Sequence, residues 1–314
     1  MKHLYGPVPS RRLGVSLGID PIPKKVCTLD CVYCEVDKTS MKTLERKEYV
    51  SADTILAELR EYLSHDHVSL DYIAFSGSGE PTLNSKLGYM IKEIKKISNI
   101  PIAVITNGTL LWRQDVREEL LPADLVMPSL DAASEEIFTK VNHPAKGLTL
   151  EMVLDGLVKF RRDYSGPIWL EILIVKNVND KEDEYYRLAE AVKKINPDRV
   201  QLNTVVRPPG FGNAQPVNKA ELQKLQQIIG PKAEIIAIFN RQTNKAYRED
   251  IEDSLIELLT IRACTIDEMV ESMGIHRDEL LKYLELFQED GRLQKIQFEG
   301  KTYYKIPSEA EMAE

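Results

Sequence analysis

Residues 71–108 read DYIAFSGSGEPTLNSKLGYMIKEIKKISNIPIAVITNG. The apolar runs YIAF and IAVIT predict two buried strands, and the segment between them repeats apolar residues at the three-to-four spacing of a helix. A strand, a helix and a strand in this order form a βαβ unit, in which the two strands are parallel. Each strand ends in a polar, glycine-containing tail, SGSGEP after the first and TNG after the second. This stretch therefore predicts a parallel sheet with polar tails at its carboxyl edge.

The alternation of strands and helices continues on both sides of this stretch. Further strand candidates lie at residues 15–19, 125–130, 168–175, 200–205 and 235–239, and helical patterns lie at 51–63, 151–164, 183–195 and 219–229. Repeated βα units predict an α/β fold, a partial (β/α)6 TIM-like barrel of parallel strands. In such a barrel, the carboxyl ends of the strands build the active site.

The composition changes after residue 247. Residues 250–262, 265–274 and 276–291 have the pattern of three amphipathic helices, and residues 292–298 and 302–307 have that of two short strands. Three helices followed by a hairpin are typical of a winged helix-turn-helix. We expect two domains, a barrel domain over residues 1–247 and a small winged-helix domain over residues 248–314 that ends in a short flexible tail.

Composition and charge exclude several classes of protein. The chain has 314 residues, of which 43% are hydrophobic and 29% charged. It has no apolar run near the roughly 18–20 residues that cross a bilayer, and its first residues have no apolar signal-peptide segment, so we expect a cytoplasmic protein without a membrane partner. The net charge of −8 argues against a surface devoted to nucleic acid. Four cysteines, three of them close together, do not form a disulfide framework.

The three close cysteines lie in residues 27–34, CTLDCVYC, as Cys27, Cys31 and Cys34. Three thiolates can hold three corners of a cubane cluster and leave the fourth iron open to a small molecule. A structural zinc site is the first alternative, but such a site usually takes a fourth Cys or His that this loop lacks. Buried small side chains are the second alternative, which the polar Thr28 and Asp30 between the cysteines disfavour.

The cysteine spacing, the aromatic Tyr33 and the downstream Gly79-Glu80-Pro81 together resemble the radical S-adenosylmethionine (SAM) superfamily. The resemblance implies a [4Fe-4S] cluster and S-adenosyl-L-methionine as cofactors. It also implies reductive cleavage of S-adenosylmethionine to methionine and a 5′-deoxyadenosyl radical, which abstracts hydrogen from an unidentified substrate. The electron would come from a reductant of the flavodoxin or ferredoxin type.

The resemblance also implies roles for residues. Cys27, Cys31 and Cys34 would hold the cluster, the turn at 76–84 would bind the methionine end of the cofactor, and Ser129 and Asp131 would bind its ribose. The full set of expected cofactor-binding residues is Tyr33, Ser76, Gly77, Gly79, Glu80, Pro81, Thr106, Asn107, Ser129, Asp131, Gln201 and Asn203. Gln201 and Asn203 belong to this set for a separate reason, because an amide side chain among apolar strand residues is costly unless it meets a partner. The alternative for each single residue is an ordinary polar strand end or helix cap.

A closer resemblance covers about residues 1–240 and is carried by GPVPSRRLGVSLGID, FSGSGEPTLN, TNGTLLW, PSLDA and VQLNTVVRPP. These segments resemble proteins related to the tRNA 4-demethylwyosine synthase-like enzymes. Those tRNA enzymes carry a second cluster on additional N-terminal cysteines, whereas this sequence has no cysteine before Cys27. A tRNA base, a peptide and a small molecule therefore all remain open as substrates.

A different class of function is an iron–sulfur DNA-binding regulator, since winged helices commonly bind DNA. Residues 250–307 carry 7 basic and 13 acidic residues, a net charge of −6, which would repel the DNA backbone. Residues 1–50 have a net charge of +3. Opposite charges favour docking of the C-terminal segment near the open end of the barrel, where it would govern access or bind a peptide or tRNA substrate.

Basic residues near the cysteine loop are candidates for contact with a phosphate or carboxylate of the substrate. Arg11, Arg12 and Arg207 fit this role because guanidinium groups pair well with such anions. For Lys24 and Lys25 we favour ordinary solvated surface positions.

Overall fold

The computed structural model describes residues 2–10, 12–36, 38–65, 69–206, 209–236, 249–261, 263–273, 275–298 and 301–307. Up to residue 236 the strands are β1 (Leu4–Ser10), β2 (Gly14–Ile19), β3 (Val26–Cys27), β4 (Met41–Lys42), β5 (Tyr72–Phe75), β6 (Ile102–Thr106), β7 (Leu125–Pro128), β8 (Trp169–Ile174), β9 (Arg199–Thr204) and β10 (Ala233–Ile235). The helices of this part are α1 (Ala52–Leu63), α2 (Leu87–Ile97), α3 (Gln114–Leu120), α4 (Glu135–Asn142), α5 (Leu150–Asp163), α6 (Glu182–Ile195) and α7 (Lys219–Ile229). A short 3-10 helix covers Pro81–Leu83.

Eight of these strands form one continuous series, and β3 and β4 form a separate two-stranded sheet. One sheet has the order β1-β2-β5-β6-β7 and another the order β10-β9-β8. Two parallel bridges, Val126 to Ile168 and Ser129 to Glu171, join β7 to β8 and so connect the two sheets. All neighbouring strands in the series are parallel except β1, which pairs antiparallel with β2. The predicted α/β fold with parallel strands is confirmed.

Helix caps and buried stripes explain where the helices form. The Ser51 side chain accepts a hydrogen bond from the backbone N–H of Thr54 at the start of α1, and Asn218 and Glu221 form a reciprocal capping box at the start of α7. Such caps satisfy backbone donors that a helix leaves unpaired. In α2 the buried residues Leu87, Met90, Ile91 and Ile94 lie on one stripe. These helices therefore pack their apolar faces against the sheet.

A second group of elements follows residue 248. It consists of α8 (Glu249–Ile261), α9 (Ile266–Met273), α10 (Arg277–Glu289) and the strands β11 (Gln294–Phe298) and β12 (Lys301–Lys305), which pair antiparallel. We call residues 249–307 the C-terminal unit. Its buried residues form a core separate from that of the barrel, with Leu255, Met269 and Phe287 at its centre and Cys264 among its members. The order of elements agrees with the sequence expectation, and the winged-helix class stays a prediction.

The C-terminal unit packs against the start of the chain. The ring of His276, which caps α10, stacks on the ring of Tyr5 in β1 with 4.5 Å between centroids. His276 Nε2 lies 3.1 Å from Asp20 Oδ2 at the end of β2. Lys24 Nζ donates a hydrogen bond of 2.9 Å to Asp267 Oδ1 of α9. Helix α10 is thereby held close to the carboxyl ends of the strands.

The structure differs from the sequence expectation in a few elements. The strands β1, β3 and β4 and the helices α3 and α4 were not expected, and the last barrel strand, expected at 235–239, is Ala233–Ile235. Residues 237–239, the hairpin turn at 299–300 and the tail at 308–314 lie outside the described residues. Within the described ranges, none of the helices combines the length and apolar character that crossing a bilayer requires.

Candidate functional site

A cavity of about 350 Å³ opens where the parallel strands end. It is lined by the tails after β5, β6 and β7, by side chains of β8 and β9, by the cysteine loop and by α10. This is the edge at which parallel α/β barrels build their active sites. Most of the expected site residues line the cavity: Cys27, Cys31, Tyr33, Cys34, Ser76, Gly77, Gly79, Glu80, Pro81, Thr106, Asn107, Ser129 and Asn203. Among the described residues that were expected there, Asp131 and Gln201 are not part of the lining.

The cysteine loop is held in place by backbone hydrogen bonds to the end of α4. The N–H groups of Asp30 and Val32 donate to the carbonyls of Asn142 and Val141, over 2.9 and 3.0 Å. The loop itself turns through a bond of 3.0 Å from the N–H of Cys34 to the carbonyl of Cys31. These contacts hold the backbone of the cysteine loop in place.

Two of the three thiols, those of Cys27 and Cys31, lie close to carboxylates. Burial raises the pKa of the Cys27 thiol to about 12, and the Glu80 carboxylate adds to the rise. Burial also raises the pKa of Cys31, with a further contribution from Asp131. A thiol binds metal as the thiolate, so a cationic group that binds here has to displace protons.

The positions of the thiols distinguish a site for a single metal ion from a site for an iron–sulfur cluster. Among the described residues, no three His, Cys, Asp or Glu side chains converge on a point where one metal ion could bind. A cubane cluster does not need such a point, because each thiolate binds a separate iron. The three cysteines line one cavity and supply the three thiolates that three corners of a cluster need.

The turn after β5 brings backbone close to the cysteine loop. A Cβ atom at Gly79 would lie 2.1 Å from the carbonyl oxygen of Val26, the residue before Cys27. Gly77 has a φ of +141°, and a Cβ there would lie 2.3 Å from the carboxyl carbon of Asp20. The Asp20 carboxylate in turn accepts the N–H of Ser78 over 2.9 Å. Only glycine permits these approaches, so Gly79 allows the turn to lie beside the cysteine loop and Gly77 allows it to lie against Asp20.

Glu80 is buried and accepts hydrogen bonds from two strand tails. Its Oε1 accepts from the hydroxyls of Thr82 and Thr106 at 2.6 and 2.5 Å and from the N–H of Thr82 at 3.0 Å, while its Oε2 accepts from the N–H of Asn107 at 2.7 Å. Burial raises the pKa of Glu80, and the four donors oppose that rise. Glu80 thus caps the 3-10 helix, as the helix-cap alternative predicts, and it is also one of the residues that line the cavity.

Asp131, which was expected to bind the ribose, lies just outside the cavity lining. It is 3% exposed, and its oxygens accept hydrogen bonds from the Tyr33 hydroxyl at 2.5 Å, Asn142 Nδ2 at 2.8 Å and the N–H of Leu173 at 3.0 Å. Burial raises the pKa of Asp131 to about 6. With its lone pairs directed at three protein donors, Asp131 fixes Tyr33 and Asn142 around the cysteine loop.

The later strands form a polar wall. Glu171 on β8 accepts hydrogen bonds from Arg12 at 2.6 Å and from Asn203 at 2.9 Å, and all three side chains line the cavity. Gln201 lies deeper on β9 and donates to Glu234 at 3.0 Å, which explains why it does not reach the lining. Arg12 therefore has a carboxylate partner within the protein. Arg11 and Arg207 lie outside the described residues.

Sequence reasoning did not find several residues that contribute to the cavity or contact its cysteines. Tyr5 of β1 hydrogen-bonds Ser76 through its hydroxyl, and Asp278 and Lys282 reach the cavity from α10. Lys25, expected at the surface, is 5% exposed and contacts Cys34. The acidic start of α10 was visible in the sequence, but the packing of α10 over the barrel was not.

Comparison with known proteins agrees with this geometry. The profile of the Radical SAM superfamily matches residues 22–189, which include the cysteine loop and the turn after β5. The chain is 35% identical over 313 residues to a UPF0026 protein of Methanocaldococcus jannaschii, a match that covers 97% of this chain and 96% of the relative. It is also 36% identical over 308 residues to a protein named GTPase Obg of Brachyspira hyodysenteriae, with 97% of this chain covered. This chain spans only 45% of the length of that second relative.

A solved structure shows the same fold. A radical SAM methyltransferase from Sphaerobacter thermophilus superposes with a TM-score of 0.56 at 16% sequence identity, over 73% of this chain and 67% of that chain. At this identity the likeness concerns the fold alone. The profile match covers more than half of the chain, and the UPF0026 relative matches nearly end to end. The chain therefore belongs to the Radical SAM superfamily, as an enzyme whose cofactors are a [4Fe-4S] cluster and S-adenosylmethionine.

Proposed function

We propose that Cys27, Cys31 and Cys34 hold the [4Fe-4S] cluster in the cavity at the carboxyl ends of the strands. The observation that carries this proposal is that the three thiols and the Gly79-Glu80-Pro81 turn line one cavity. The bound cofactors supply reductive cleavage of S-adenosylmethionine and, from it, a radical that abstracts hydrogen from the substrate. Radical SAM enzymes draw the electron from an external reductant, here of the flavodoxin or ferredoxin type, and we place the reaction in the cytoplasm.

The chain's own residues bind and orient the methionine end of S-adenosylmethionine. The Glu80 carboxylate and the backbone carbonyls of Ser76–Pro81 accept hydrogen bonds from its ammonium group, as carboxylate and carbonyl oxygens do. The Thr106 hydroxyl and the backbone N–H of Asn107 keep the Glu80 carboxylate in place. Ser129 and Asn203, which lie on later strands at the same edge of the sheet, face the adenosyl part of the cofactor. Asp131 contributes indirectly, because it holds Tyr33 and Asn142 in place by hydrogen bonds.

The C-terminal unit has a role at the cavity. We assign residues 1–247 to a barrel domain and residues 248–314 to a winged-helix domain, because the two parts have separate cores. Asp278 and Lys282 of α10 line the cavity, so the C-terminal unit forms part of the wall past which a substrate enters. A peptide or tRNA substrate that docks on the C-terminal unit is the second candidate, favoured by this position.

A DNA-binding regulator is less well supported. Helix α10, which would enter a DNA groove, belongs to a segment with a net charge of −6, and its Asp278 and Lys282 line the enzyme cavity instead. Phosphate neutralisation supplies most of the affinity for DNA. A regulator of this kind would show tight, salt-sensitive operator binding and would release no 5′-deoxyadenosine.

The first experiment measures iron and product. Anaerobically purified protein should carry about four irons per chain, as a cubane requires. Reduction in the presence of S-adenosylmethionine should release 5′-deoxyadenosine. Replacement of Cys27, Cys31 or Cys34 by Ala should abolish both, because each cysteine supplies one thiolate.

The matched control is Cys264→Ala, which removes the one cysteine that lies in the C-terminal core. This variant should keep its iron and its 5′-deoxyadenosine release. A triple variant of Cys27, Cys31 and Cys34 that retains the iron content of the wild type would refute the proposed function.

A further inference from the structure

Lys25 is buried beside the cysteine loop. It is 5% exposed, and its Nζ lies 3.0 Å from the Sγ of Cys34. Its backbone is held on both sides, because its N–H donates to the Ser78 carbonyl over 2.8 Å and its carbonyl accepts the N–H of Met41 over 3.1 Å. A lysine is almost never buried without a partner, and the partner of this ammonium group is a sulfur.

Lys24, the adjacent lysine, has the opposite environment. Its side chain is 49% exposed and pairs with Asp267. The expectation that both lysines are surface residues is therefore right for Lys24 and wrong for Lys25. The two lysines form a natural pair of test and control positions.

Asn142 provides a second donor to the thiols. Its Nδ2 lies 3.3 Å from the Sγ of Cys31 and 2.8 Å from Oδ2 of Asp131. A carboxylate in its ionised form only accepts hydrogen bonds, so Asp131 turns the NH2 end of the amide, and not its oxygen, toward the sulfur. Asn142 is 3% exposed, and this orientation is held within the protein interior.

The third thiol has a weaker contact of the same kind. Asn107 Nδ2 lies 3.5 Å from the Sγ of Cys27 and 2.8 Å from the Thr28 hydroxyl. Each of the three sulfurs thus has one side-chain N–H donor, and the three donors come from three separate parts of the chain. Asn107 also lines the cavity, so its replacement would disturb cofactor contacts and is a poor probe.

We propose that Lys25 and Asn142 raise the reduction potential of the cluster by donating hydrogen bonds to the sulfurs of Cys34 and Cys31. This inference rests on the proposed function, in which these cysteines hold the cluster. Reduction by one electron adds negative charge that is shared with the sulfurs, so an N–H donor stabilises the reduced state more than the oxidised state. Lys25 adds a positive charge to its hydrogen bond, and its effect is therefore the larger of the two.

The two residues act through the cysteines and are positioning residues. They determine what fraction of the cluster an external reductant of a given potential can reduce. Without the donors, the same reductant leaves a larger share of the enzyme oxidised, although the ligands remain.

The test uses the full chain with its cluster, prepared anaerobically. Redox titrations followed by the electron paramagnetic resonance signal of the reduced cluster give the midpoint potential of the wild type and of Lys25→Met, Asn142→Leu and Lys24→Met. At a fixed solution potential we expect the ratio of reduced to oxidised cluster to fall about tenfold in Lys25→Met and about threefold in Asn142→Leu, since charge-assisted hydrogen bonds are roughly twice as strong as neutral ones. Lys24→Met should match the wild type.

Iron content is measured on each variant before titration. If Lys25→Met holds too little iron to titrate, Lys25→Gln takes its place, because it keeps an N–H donor and removes the charge, and it should shift the ratio in the same direction. Potentials of Lys25→Met and Asn142→Leu equal to that of Lys24→Met overturn the inference and leave the proposed function intact. A different result would refute the proposed function, namely iron retained by the variant that lacks all three cysteines.

Discussion

At the residue scale, Gly79 makes the approach between the cofactor turn and the cysteine loop possible. A Cβ there would lie 2.1 Å from the Val26 carbonyl oxygen and 2.5 Å from Ile22 Cγ2, so Gly79→Ala must push the turn away from the loop. We expect at least about a tenfold weaker affinity for S-adenosylmethionine, which corresponds to about 1.4 kcal/mol. Equilibrium dialysis with the cofactor measures this loss.

The control for this prediction is Gly147→Ala. Gly147 has a φ of +87°, and none of the described atoms would lie within 4 Å of a Cβ added there. Alanine at this position therefore strains the backbone but does not collide with a neighbouring atom. The substitution should cost about 1–2 kcal/mol of stability and leave the cofactor affinity unchanged. A Gly79→Ala protein that binds S-adenosylmethionine as tightly as Gly147→Ala would show that the turn is not the binding element.

The site residues also show what a sequence can and cannot predict. Cys27, Cys31, Cys34 and the Gly79-Glu80-Pro81 turn could be predicted because each set lies within a few consecutive residues. Asn142 could not, since 111 residues separate it from Cys31, and nothing near it in the sequence indicates that contact. The ribose contact of Asp131 was expected from the family resemblance, and the sequence did not indicate that its oxygens accept hydrogen bonds from three protein donors.

At the element scale, the long elements were predictable and the short or irregular ones were not. Strands such as β5 and β6 are apolar runs buried on both faces, a pattern that is clear in the sequence. Strand β1 reads LYGPVPS, and two prolines argue against a strand. It forms because it lies at the edge of its sheet, where a missing N–H donor is tolerated. Helices α3 and α4 have 7 and 8 residues, too few for a clear periodic pattern.

Helix α10 gives a prediction on pH. Burial lowers the pKa of His276, but the hydrogen bond with Asp20 and the charges of Asp278, Asp20 and Glu279 outweigh it, so the pKa is raised from 6.5. A raised pKa in the folded state means that the contribution to stability is complete below the ordinary imidazole pKa of about 6.5 and is lost as the pH rises through the folded value. We expect the stability advantage of the wild type over His276→Gln to shrink as the pH rises.

Thermal unfolding of the wild type and His276→Gln, measured from about pH 5.5 to about pH 8.5, spans this window. The stacked Tyr5 also faces the imidazole, but its ordinary pKa of about 10 lies above the range. A difference in melting temperature that stays constant across the range would mean that His276 does not link protonation to the packing of α10 on the barrel.

At the scale of the whole molecule, the C-terminal unit closes part of the cavity while having a core of its own. Deletion from residue 248 onward should therefore leave a folded barrel with about four irons per chain and with release of 5′-deoxyadenosine. Because Asp278 and Lys282 no longer cover the cavity, solvent reaches the cluster more easily, and a chelator should remove its iron faster than from the full chain. The full-length variant Lys24→Ala, which loses one exposed ion pair worth about 0–1 kcal/mol, should lose iron at the rate of the wild type. Equal rates of iron loss for the truncated and full-length proteins would show that the C-terminal unit does not shield the site, and would leave substrate docking as its remaining role.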